Sequence, residues 1–473
     1  MPSNQAASPE KEAVAAEAPV ATPTIPDDSW SFAQLARTET LWGPHGYHKY
    51  PAKFIPQLVR RIIEEYSQEG DLVGDTFLGS ATTGVEAIRC NRRFFGADIN
   101  PVATFISKAK CTPIPPARLD REWERLFEKL EVLPRLGRRF LSPAEKEAIQ
   151  AIDIAHADAS ERFEYWFPAT QAAVLEKILK LILKLRGKRV RTFFLCAFSN
   201  ILKTCSIWLS GSTKPQKDLK KRLSDPVSTF CRQVRDMIKR NKVFWEDLAK
   251  IYDNPAEVVE RCIIQVKDAR RLPLDDGELD LLVTSPPYAT CYQYIELHQL
   301  TQIWFERHDL LQSVRLQRHC IGGKGRSTRR KLGQVMPTGS PSADQALLRL
   351  ANKGDKSTAS AVRQEVRSLR AYFLDMKDVI QEFARVVKAG KYFVLVVGDS
   401  CKRGVMIPTS TAITEMASTA GFDLEHKIVR KVPGRVLVAK RNQTTGRFSS
   451  TEESDIEAYP EEDVLIFKRR AHT

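Results

Sequence analysis

The stretch GDLVGDTFLGSATTGVEAIRCNRRFFGADINPVA, residues 70–103, decides the fold class. It begins with a short apolar run, DLVGDTF, that predicts a buried strand, and it continues at helical spacing from Thr83 to Asn91. A second apolar run, RRFFGADI, then predicts another strand. The order strand, helix, strand is that of a βαβ unit, so we predict an α/β protein with a parallel sheet.

The turn between the first strand and the helix is DTFLGSATTG, residues 75–84. Its small residues let a ligand approach the backbone, and the start of the helix supplies free N–H groups. The turn lacks the lysine of a phosphate-binding loop, and Gly79-x-Ala81 departs from the dinucleotide fingerprint. It therefore favours a nucleoside without a phosphate at this position, although an ordinary tight turn would have a similar composition.

Two acidic residues are predicted to end neighbouring strands of the sheet. Asp98 follows the turn by about 20 residues, where a carboxylate can accept hydrogen bonds from ribose hydroxyls. Asp268, in VKDARRLP, ends a third predicted strand and is placed to accept a hydrogen bond from an adenine amine. The simpler alternative at both positions is a capping residue at a helix start.

The fourth predicted strand, LDLLVT, ends in Ser285-Pro286-Pro287-Tyr288. Consecutive prolines fix φ and hold the chain extended, so they can aim the Ser285 hydroxyl and the Pro286 carbonyl at one point. Both groups can accept hydrogen bonds from an –NH₂ group, and Tyr288 offers a flat face for a base. Such acceptors make an amine nitrogen a better nucleophile towards a positioned methyl group, a reaction that needs neither a metal nor a covalent enzyme intermediate.

Together these segments resemble the motifs of amino-methylating, S-adenosylmethionine-dependent DNA methyltransferases of the N4-cytosine and N6-adenine family. DTFLGSATTG resembles their motif I, GADIN motif II, KDARRLP motif III, TSPPY motif IV, and HGYHKYPAKFIPQL motif X. The resemblance implies a Rossmann-like class I methyltransferase sheet with S-adenosyl-L-methionine as the cofactor. The SPPY form is associated with N4-cytosine methylation, whereas the N6-adenine enzymes more often carry Asp or Asn in the serine position.

The resemblance also implies roles for individual residues. The four residues of the tetrad, Ser285, Pro286, Pro287 and Tyr288, are expected to be catalytic. The residues expected to bind the cofactor lie in motifs X, I, II and III: Lys53, Phe54, Asp75, Phe77, Gly79, Ser80, Thr82, Thr83, Asp98, Ile99, Asn100, Asp268 and Ala269.

The motifs follow one another in the order X, I, II, III, IV, and long amphipathic helices are predicted between II and III. These helices form an insertion in the α/β domain and are a candidate target-recognition region. We expect a disordered tail at 1–27, the α/β domain at 28–112, 256–310 and 361–473, the helical insertion at 113–255, and a basic mobile loop at 311–360.

The positive charge of the chain is concentrated in two stretches. Residues 201–242 hold 11 Lys and Arg against 3 Asp, and residues 311–331 hold 7 basic and no acidic residues, so the two account for the whole net charge of +15. An enzyme acting on a base must flip the nucleotide out of the duplex, so contacts to the phosphates of double-stranded DNA are required. The residues expected to bind DNA are Lys214, Lys217, Lys220, Lys221, Arg222, Arg326, Arg329 and Arg330. A solvated surface and a disordered loop are the alternative.

Four functions stay open: an N4-cytosine DNA methyltransferase, which the tetrad favours, an N6-adenine DNA methyltransferase, a structured-RNA base methyltransferase, and a catalytically silent DNA-binding protein. A restriction endonuclease is a candidate partner. The nine cysteines show no zinc spacing, which is typical of reduced thiols in a cytosolic protein. The chain lacks the long apolar run of a membrane span, so no transmembrane helix is expected. The resemblance implies a cytoplasmic, nucleoid-associated prokaryotic protein without a bound metal.

Overall fold

The computed structural model describes residues 24–50, 53–153, 156, 158–212, 214–289, 294–311, 320–321, 336–354, 358–431, 440–441, 448–449, 456–457 and 461–471. Its strands are β1 Thr24–Pro26, β2 Leu72–Asp75, β3 Arg93–Asp98, β4 Cys262–Val266, β5 Leu279–Thr284, β6 Val387–Val397, β7 Ser400–Lys402, β8 Val405–Ile407, β9 Phe422–Lys431, β10 Lys440–Arg441, β11 Phe448–Ser449, β12 Ile456–Glu457 and β13 Glu461–Arg469. Its helices are α1 Arg37–Thr40, α2 Pro56–Tyr66, α3 Thr82–Arg89, α4 Pro101–Lys110, α5 Pro116–Glu131, α6 Pro143–Gln150, α7 Ala159–Trp166, α8 Ala169–Leu183, α9 Lys188–Ile201, α10 Pro226–Leu248, α11 Tyr294–Leu297, α12 Gln299–Arg307, α13 Pro341–Ala351, α14 Ala359–Val386 and α15 Thr409–Thr419.

An eight-stranded sheet forms the centre of the α/β part, in the order β1-β9-β13-β6-β5-β2-β3-β4. Strands β4, β3, β2, β5 and β6 are parallel to one another, whereas β13 is antiparallel to both β6 and β9. The chain runs outward from β2 through β3 to β4 and then returns to β5 on the other side of β2. This reversal is the switch point at which open α/β sheets bind ligands, beyond the carboxyl ends of the strands.

Both faces of the sheet are covered, as a parallel sheet requires. Alternate strand residues such as Val73 and Val283 pack with α2 and α3 on one face. Their neighbours, among them Leu72 and Leu282, pack with α13, α14 and α15 on the other. The continuous burial of β2 and β5 fixes the positions of their carboxyl ends.

The helices from α5 to α10 enclose a second apolar core. Trp166 and Trp208 stack there with ring centroids 5.0 Å apart, and both are buried. Helix α12, which belongs to the chain segment after β5, inserts Trp304 into the same core, 4.8 Å from Phe163 and 5.4 Å from Phe198. The helical region is therefore joined to the α/β part through a shared core.

The βαβ unit predicted from residues 70–103 is confirmed by β2, α3 and β3, with β2 and β3 parallel. Two expectations differ from the structure. Within the tail expected at 1–27, residues Thr24–Pro26 form β1, which pairs with the edge of β9 through backbone hydrogen bonds that composition does not reveal. Within the loop expected at 311–360, residues Pro341–Ala351 form α13, capped by Ser340 and packed through Leu347 and Leu350.

Within the described part of the chain, no helix combines the length and the apolar character needed to cross a membrane.

Candidate active site

The carboxyl ends of β2 and β5 are tied together at the switch point. The Thr284 hydroxyl donates to Asp75 Oδ1 at 2.7 Å and accepts from the Phe77 N–H at 3.1 Å. Asp75 Oδ2 accepts from the Thr83 hydroxyl at 2.7 Å. Burial raises the pKa of Asp75 to about 7, against the opposing effect of these hydrogen bonds. Asp75 therefore acts by holding the turn and the strand ends together.

The turn after β2 contains two residues with left-handed backbone angles. Gly79 has φ +52° and Ala81, immediately before α3, has φ +56°. A non-glycine residue in this left-handed region costs about 1–2 kcal/mol, and a glycine at position 81 would adopt it without that cost. Ser107 of α4 donates to the Gly79 carbonyl at 3.2 Å, which packs the turn against the next helix.

Asp98, at the end of β3, lies beside this turn. Its Oδ2 accepts from the Gly79 N–H at 2.9 Å and its Oδ1 from the Asn100 N–H at 2.8 Å. The side chain is half-buried, and burial raises the pKa of Asp98 to about 6. Ile99 is half-buried next to it, and the buried Asn100 caps α4 through a bond from the Val102 N–H.

Buried polar atoms at the turn give a test of whether a nucleoside cofactor fits here. The hydroxyls of Thr76 and Ser80 are buried and have no hydrogen-bond partner among the described residues. Burying a polar atom without a hydrogen-bond partner costs free energy, which indicates that a polar ligand group or water forms hydrogen bonds with these hydroxyls. Thr82 is the first residue of α3, and Phe77 is half-buried and packs against the core of the sheet. These donors, the left-handed turn and the Asp98 carboxylate fit an adenosine-type group.

The segment before α2 covers the same turn. A Cβ atom on Gly79 would approach Tyr50 Cε1 to 3.3 Å, so a larger residue at position 79 would press on the tyrosine ring. Lys53 donates its ammonium to the His45 carbonyl at 2.9 Å, and burial lowers the pKa of Lys53 to about 7. Phe54 is half-buried against α2 and α3. Tyr50 therefore lies against the turn of Gly79, whereas the Lys53 ammonium is directed to the His45 carbonyl.

Asp268, which follows β4, pairs with a guanidinium close to it in the chain. Its carboxylate is paired with the Arg270 guanidinium, whose Nε donates to Oδ1 at 2.8 Å, and Arg270 reaches Asp375 at 3.2 Å. The side chain of Asp268 remains about 35% exposed. The neighbouring Ala269 is buried in the core of the sheet. Asp268 thus forms an ion pair, a contact that a linear sequence does not reveal.

The tetrad follows β5 at the carboxyl edge of the sheet. Pro286 is buried, whereas Ser285, Pro287 and Tyr288 are half-buried. The Tyr288 hydroxyl donates to Glu462 Oε1 at 2.6 Å. The tetrad is therefore fixed at both ends, by the Thr284 bond to Asp75 and by the Tyr288 bond to β13.

A buried polar network links this edge to the helical region and was not predicted. His48 Nε2 and the Ser199 hydroxyl are 2.9 Å apart, and Ser199 and Thr301 are 2.8 Å apart. His298 Nδ1 and Asn100 Nδ2 are 3.1 Å apart, and the His298 ring lies 6.5 Å from that of His48. Burial lowers the pKa of His48 to about 3 and that of His298 to about 4, so both rings are neutral near pH 7. The pairing joins residues more than 100 positions apart, for which the sequence carries no signal.

The basic residues expected to bind DNA do not share one environment. Lys214, Lys220 and Arg222 are exposed. Lys217 is half-buried over the Tyr165 ring, 3.8 Å from its centroid. The ammonium of Lys221 is buried and donates to the carbonyls of Lys203 at 2.8 Å and Trp208 at 2.7 Å, so it holds the fold together internally instead of facing DNA. Arg326, Arg329 and Arg330 lie outside the described residues.

Comparison with known proteins agrees with this geometry. Residues 3–108 match the family model described as DNA methylase, whose name joins N6 and N4 methyltransferases. The chain is 25% identical over 445 residues to the Type II methyltransferase M.MvaI of Kocuria varians, covering 91% of this chain and 93% of the relative. It is 22% identical over 370 residues to the Type II methyltransferase M.MjaII of Methanocaldococcus jannaschii, covering 64% and 68%.

A shorter segment of 76 residues is 36% identical to part of the DNA adenine methyltransferase YhdJ of Escherichia coli and covers 16% of this chain and 24% of that protein. Together the matches support an amino-methylating DNA methyltransferase and leave the target base open.

Proposed function

We propose that this protein is a site-specific DNA methyltransferase that transfers a methyl group from S-adenosyl-L-methionine to the N4 amine of a flipped cytosine. The observation that carries the proposal is the hydrogen bond from Thr284 to Asp75. It holds the end of the tetrad strand against the turn that fits a nucleoside, so the acceptors for an amine and the cofactor turn share one edge of the sheet. Ser285 in the tetrad, through the family resemblance, favours cytosine.

The cofactor is proposed to lie against the turn of Gly79 and Ser80. Asp98 accepts hydrogen bonds from the ribose hydroxyls, while the Gly79 N–H holds the carboxylate in place. Lys53 and Phe54 line the other side of the cofactor. When bound, S-adenosyl-L-methionine supplies an electrophilic methyl group.

The tetrad is proposed to prepare the amine. The Ser285 hydroxyl and the Pro286 carbonyl accept hydrogen bonds from the –NH₂ group, which orients its nitrogen and increases the electron density there. The prolines restrict the backbone, so little conformational freedom is lost when the base enters. The Tyr288 ring stacks on the base. The proton that leaves the nitrogen after methyl transfer passes to solvent.

The exposed face around residues 214–222 is proposed to contact double-stranded DNA. The Arg222 guanidinium lies 6.0 Å from the ring centroid of Phe140, which is 63% exposed. A bridge between Arg139 and Leu223 holds the two segments side by side. Cationic side chains bind phosphates, and exposed aromatic rings stack on bases. This face therefore combines two features of surfaces that bind nucleic acids, through Lys214, Lys220, Arg222 and Phe140.

Methyl transfer from radiolabelled cofactor to DNA tests the proposal directly. We expect label in DNA, and N4-methylcytosine after digestion to nucleosides and mass spectrometry. Ser285→Ala should lower the methylation rate, whereas Ser160→Ala, at an exposed serine of α7, should leave it unchanged. Absence of label with the wild-type protein, or a wild-type rate in Ser285→Ala, would refute the proposed mechanism.

N6-adenine methylation is the second candidate, because the short match includes an adenine methyltransferase. N6-methyladenine as the only product would replace the first proposal with this one. The proposal includes a cytoplasmic location with access to chromosomal DNA. A restriction endonuclease of the same specificity is the partner that the Type II relatives suggest.

A further inference from the structure

The Tyr288 hydroxyl begins a chain of hydrogen bonds that leads away from the proposed active site. It donates to Glu462 Oε1 at 2.6 Å, and Glu462 Oε2 accepts from the Arg430 guanidinium at 2.8 Å. A second nitrogen of Arg430 donates to the Trp30 carbonyl at 3.3 Å. The chain thus joins the tetrad to β13, β9 and the segment after β1.

The members of this chain have little freedom to move. The Arg430 side chain is 4% exposed and that of Glu462 is 17% exposed. They lie opposite each other on the paired strands β9 and β13. The Lys431 N–H donates to the Ser31 hydroxyl at 3.2 Å, which fixes the N-terminal segment beside Arg430. Glu462 is therefore an anchor set by the sheet itself.

A buried ion pair of this kind is weak evidence for stability, because the cost of removing both charges from water offsets their attraction. Its best-attested benefit is that it specifies one arrangement of the groups around it. Here the group so specified is a tyrosine of the proposed active site. The pair therefore has a use beyond holding two strands together, which their backbone hydrogen bonds already do.

The bond acts on the orientation of the ring. The phenol oxygen lies at the far end of the ring axis, so tethering it fixes the direction in which the side chain projects. A phenol O–H also prefers to lie in the plane of its ring, so an acceptor at a fixed place favours one ring plane. Near Tyr288 Cε2 lies Gly398, where an added Cβ atom would stand 3.4 Å away. The ring is thus held at its hydroxyl and packed along one edge.

We propose that Glu462 and Arg430 are positioning residues for methyl transfer, which hold the Tyr288 ring in the orientation that stacks on the target base. The inference rests on the proposed function. It makes the hydroxyl of Tyr288, and not only its ring, necessary for the full rate. Glu462 and Arg430 touch neither the base nor the cofactor in this role.

A double-mutant cycle tests the inference with Tyr288→Phe, Glu462→Gln and the combination of both. Tyr288→Phe keeps the ring and removes only the tether. Glu462→Gln leaves one acceptor oxygen where the carboxylate offers two, so the side chain can no longer accept from both Tyr288 and Arg430. The matched control is Asp463→Asn, which alters the adjacent residue of β13, paired with Lys427 at 3.0 Å. For each protein we would measure kcat and KM for DNA, the cofactor Kd and the thermal midpoint.

We expect Tyr288→Phe and Glu462→Gln each to lower kcat by roughly tenfold to a hundredfold, the range associated with small misplacements of reacting groups. The cofactor Kd should remain within about twofold, since the tether does not touch the turn of Gly79. In the Tyr288→Phe background, Glu462→Gln should cause little further loss of kcat. Asp463→Asn should keep the wild-type kcat.

Three results would overturn the inference while the proposed function survives: a wild-type kcat in Tyr288→Phe, independent and multiplicative losses in the double variant, or an equal loss in Asp463→Asn. A variant whose thermal midpoint falls below the assay temperature is replaced by Glu462→Asp, which keeps a carboxylate opposite the Arg430 guanidinium. Partial recovery of kcat by Glu462→Asp over Glu462→Gln supports the inference. No methyl transfer by the wild-type protein would refute the proposed function and the inference with it.

Discussion

The hydroxyl of Thr284 and the carboxylate of Asp75 lie 2.7 Å apart, although the two residues are 209 positions apart in the chain. Thr284 is the residue immediately before the tetrad, and Asp75 is the last residue of β2, immediately before the turn that contains Gly79 and Ala81. Both are buried, so the bond is made in surroundings where water cannot replace it. The bond therefore fixes the loop after β2 and the loop after β5 relative to each other.

Thr284→Val should destabilise the protein because valine has the same shape but no hydroxyl. Asp75 loses a donor and the Phe77 N–H loses an acceptor, so we expect a loss of about 1–3 kcal/mol in urea unfolding at pH 8. At pH 5.5 the loss should be smaller, since Asp75, with a pKa of about 7, is then mostly protonated and no longer a buried charge. Thr419→Val, at an exposed helix position, is the control. Equal losses of stability in the two variants would contradict the view that the bond between Thr284 and Asp75 stabilises the fold.

Cofactor affinity should fall as the pH drops below about 6. The pKa of Asp98 in the free protein is about 6, and ribose hydroxyls favour the ionised carboxylate, so binding lowers that pKa. The affinity is then nearly complete at about pH 7, is roughly halved at pH 6, and falls by about tenfold at pH 5 as Asp98 gains a proton. Calorimetric titration between pH 5 and 8 measures this dependence. Asp98→Asn should bind weakly with a flat pH profile, and a slope that persists in Asp98→Asn would assign the effect to another group.

Lys110→Met should stabilise the protein. The Lys110 side chain is fully buried at the end of α4, and its ammonium has no hydrogen-bond partner within the described ranges. Burial lowers its pKa from 10.5 to about 8. An apolar side chain of similar size removes this buried charge, and we expect a gain of about 1–4 kcal/mol at pH 7.

The gain from Lys110→Met should shrink as the pH rises. Between about pH 8 and 10.5 the unfolded chain binds more protons at Lys110 than the folded protein, so the stability of the wild-type protein increases with pH in that window. Urea unfolding at pH 7 and pH 10 measures both effects. Lys108→Met, at an exposed position of the same helix, should change stability by less than about 0.5 kcal/mol. A loss of stability in Lys110→Met at pH 7 would show that Lys110 has a partner essential to the fold.

Neutralising the exposed basic face should flatten the salt dependence of DNA binding. Each phosphate contact contributes about 0.9 to the slope of log K against log salt concentration, so the triple variant Lys214→Gln, Lys220→Gln, Arg222→Gln should lose up to about 2.7. Fluorescence anisotropy with a DNA duplex at several salt concentrations gives the slope. The control is the triple variant Lys129→Gln, Lys180→Gln, Lys353→Gln, which changes exposed lysines outside residues 201–242. An equal change in both variants would mean that only net charge matters.

The sequence predicted the α/β framework well because its information is local. The βαβ unit follows from apolar runs and from small residues at one turn, and the left-handed φ of Gly79 is one that glycine adopts freely, whereas the same φ at Ala81 is not expected from its residue type. The tetrad and its strand were equally local. What the sequence could not provide is the partner of each polar group, since Asp268 meets Arg270 and Tyr288 meets Glu462 only after folding.

Burial of charge was the other limit. Lys220 and Lys221 are adjacent in a basic run, yet one is exposed and the other is enclosed by two carbonyls. Neither composition nor spacing separates them, because the difference depends on which side of an irregular segment meets the helical core. Helix α13 was hidden in a polar stretch, although Ser340 followed by Pro341 is a typical start signal.

The position of Trp304 restricts how this protein can be re-engineered. Its ring is packed among Phe163, Phe167 and Phe198, at centroid distances of 4.8, 5.5 and 5.4 Å, yet it is carried by α12, the second helix after the tetrad. The helices α5 to α10 consequently cannot be exchanged as a unit without α12. A chimera that grafts this region from a relative would leave Trp304 facing a foreign surface, so a functional exchange has to transplant α12 together with the helices that surround it.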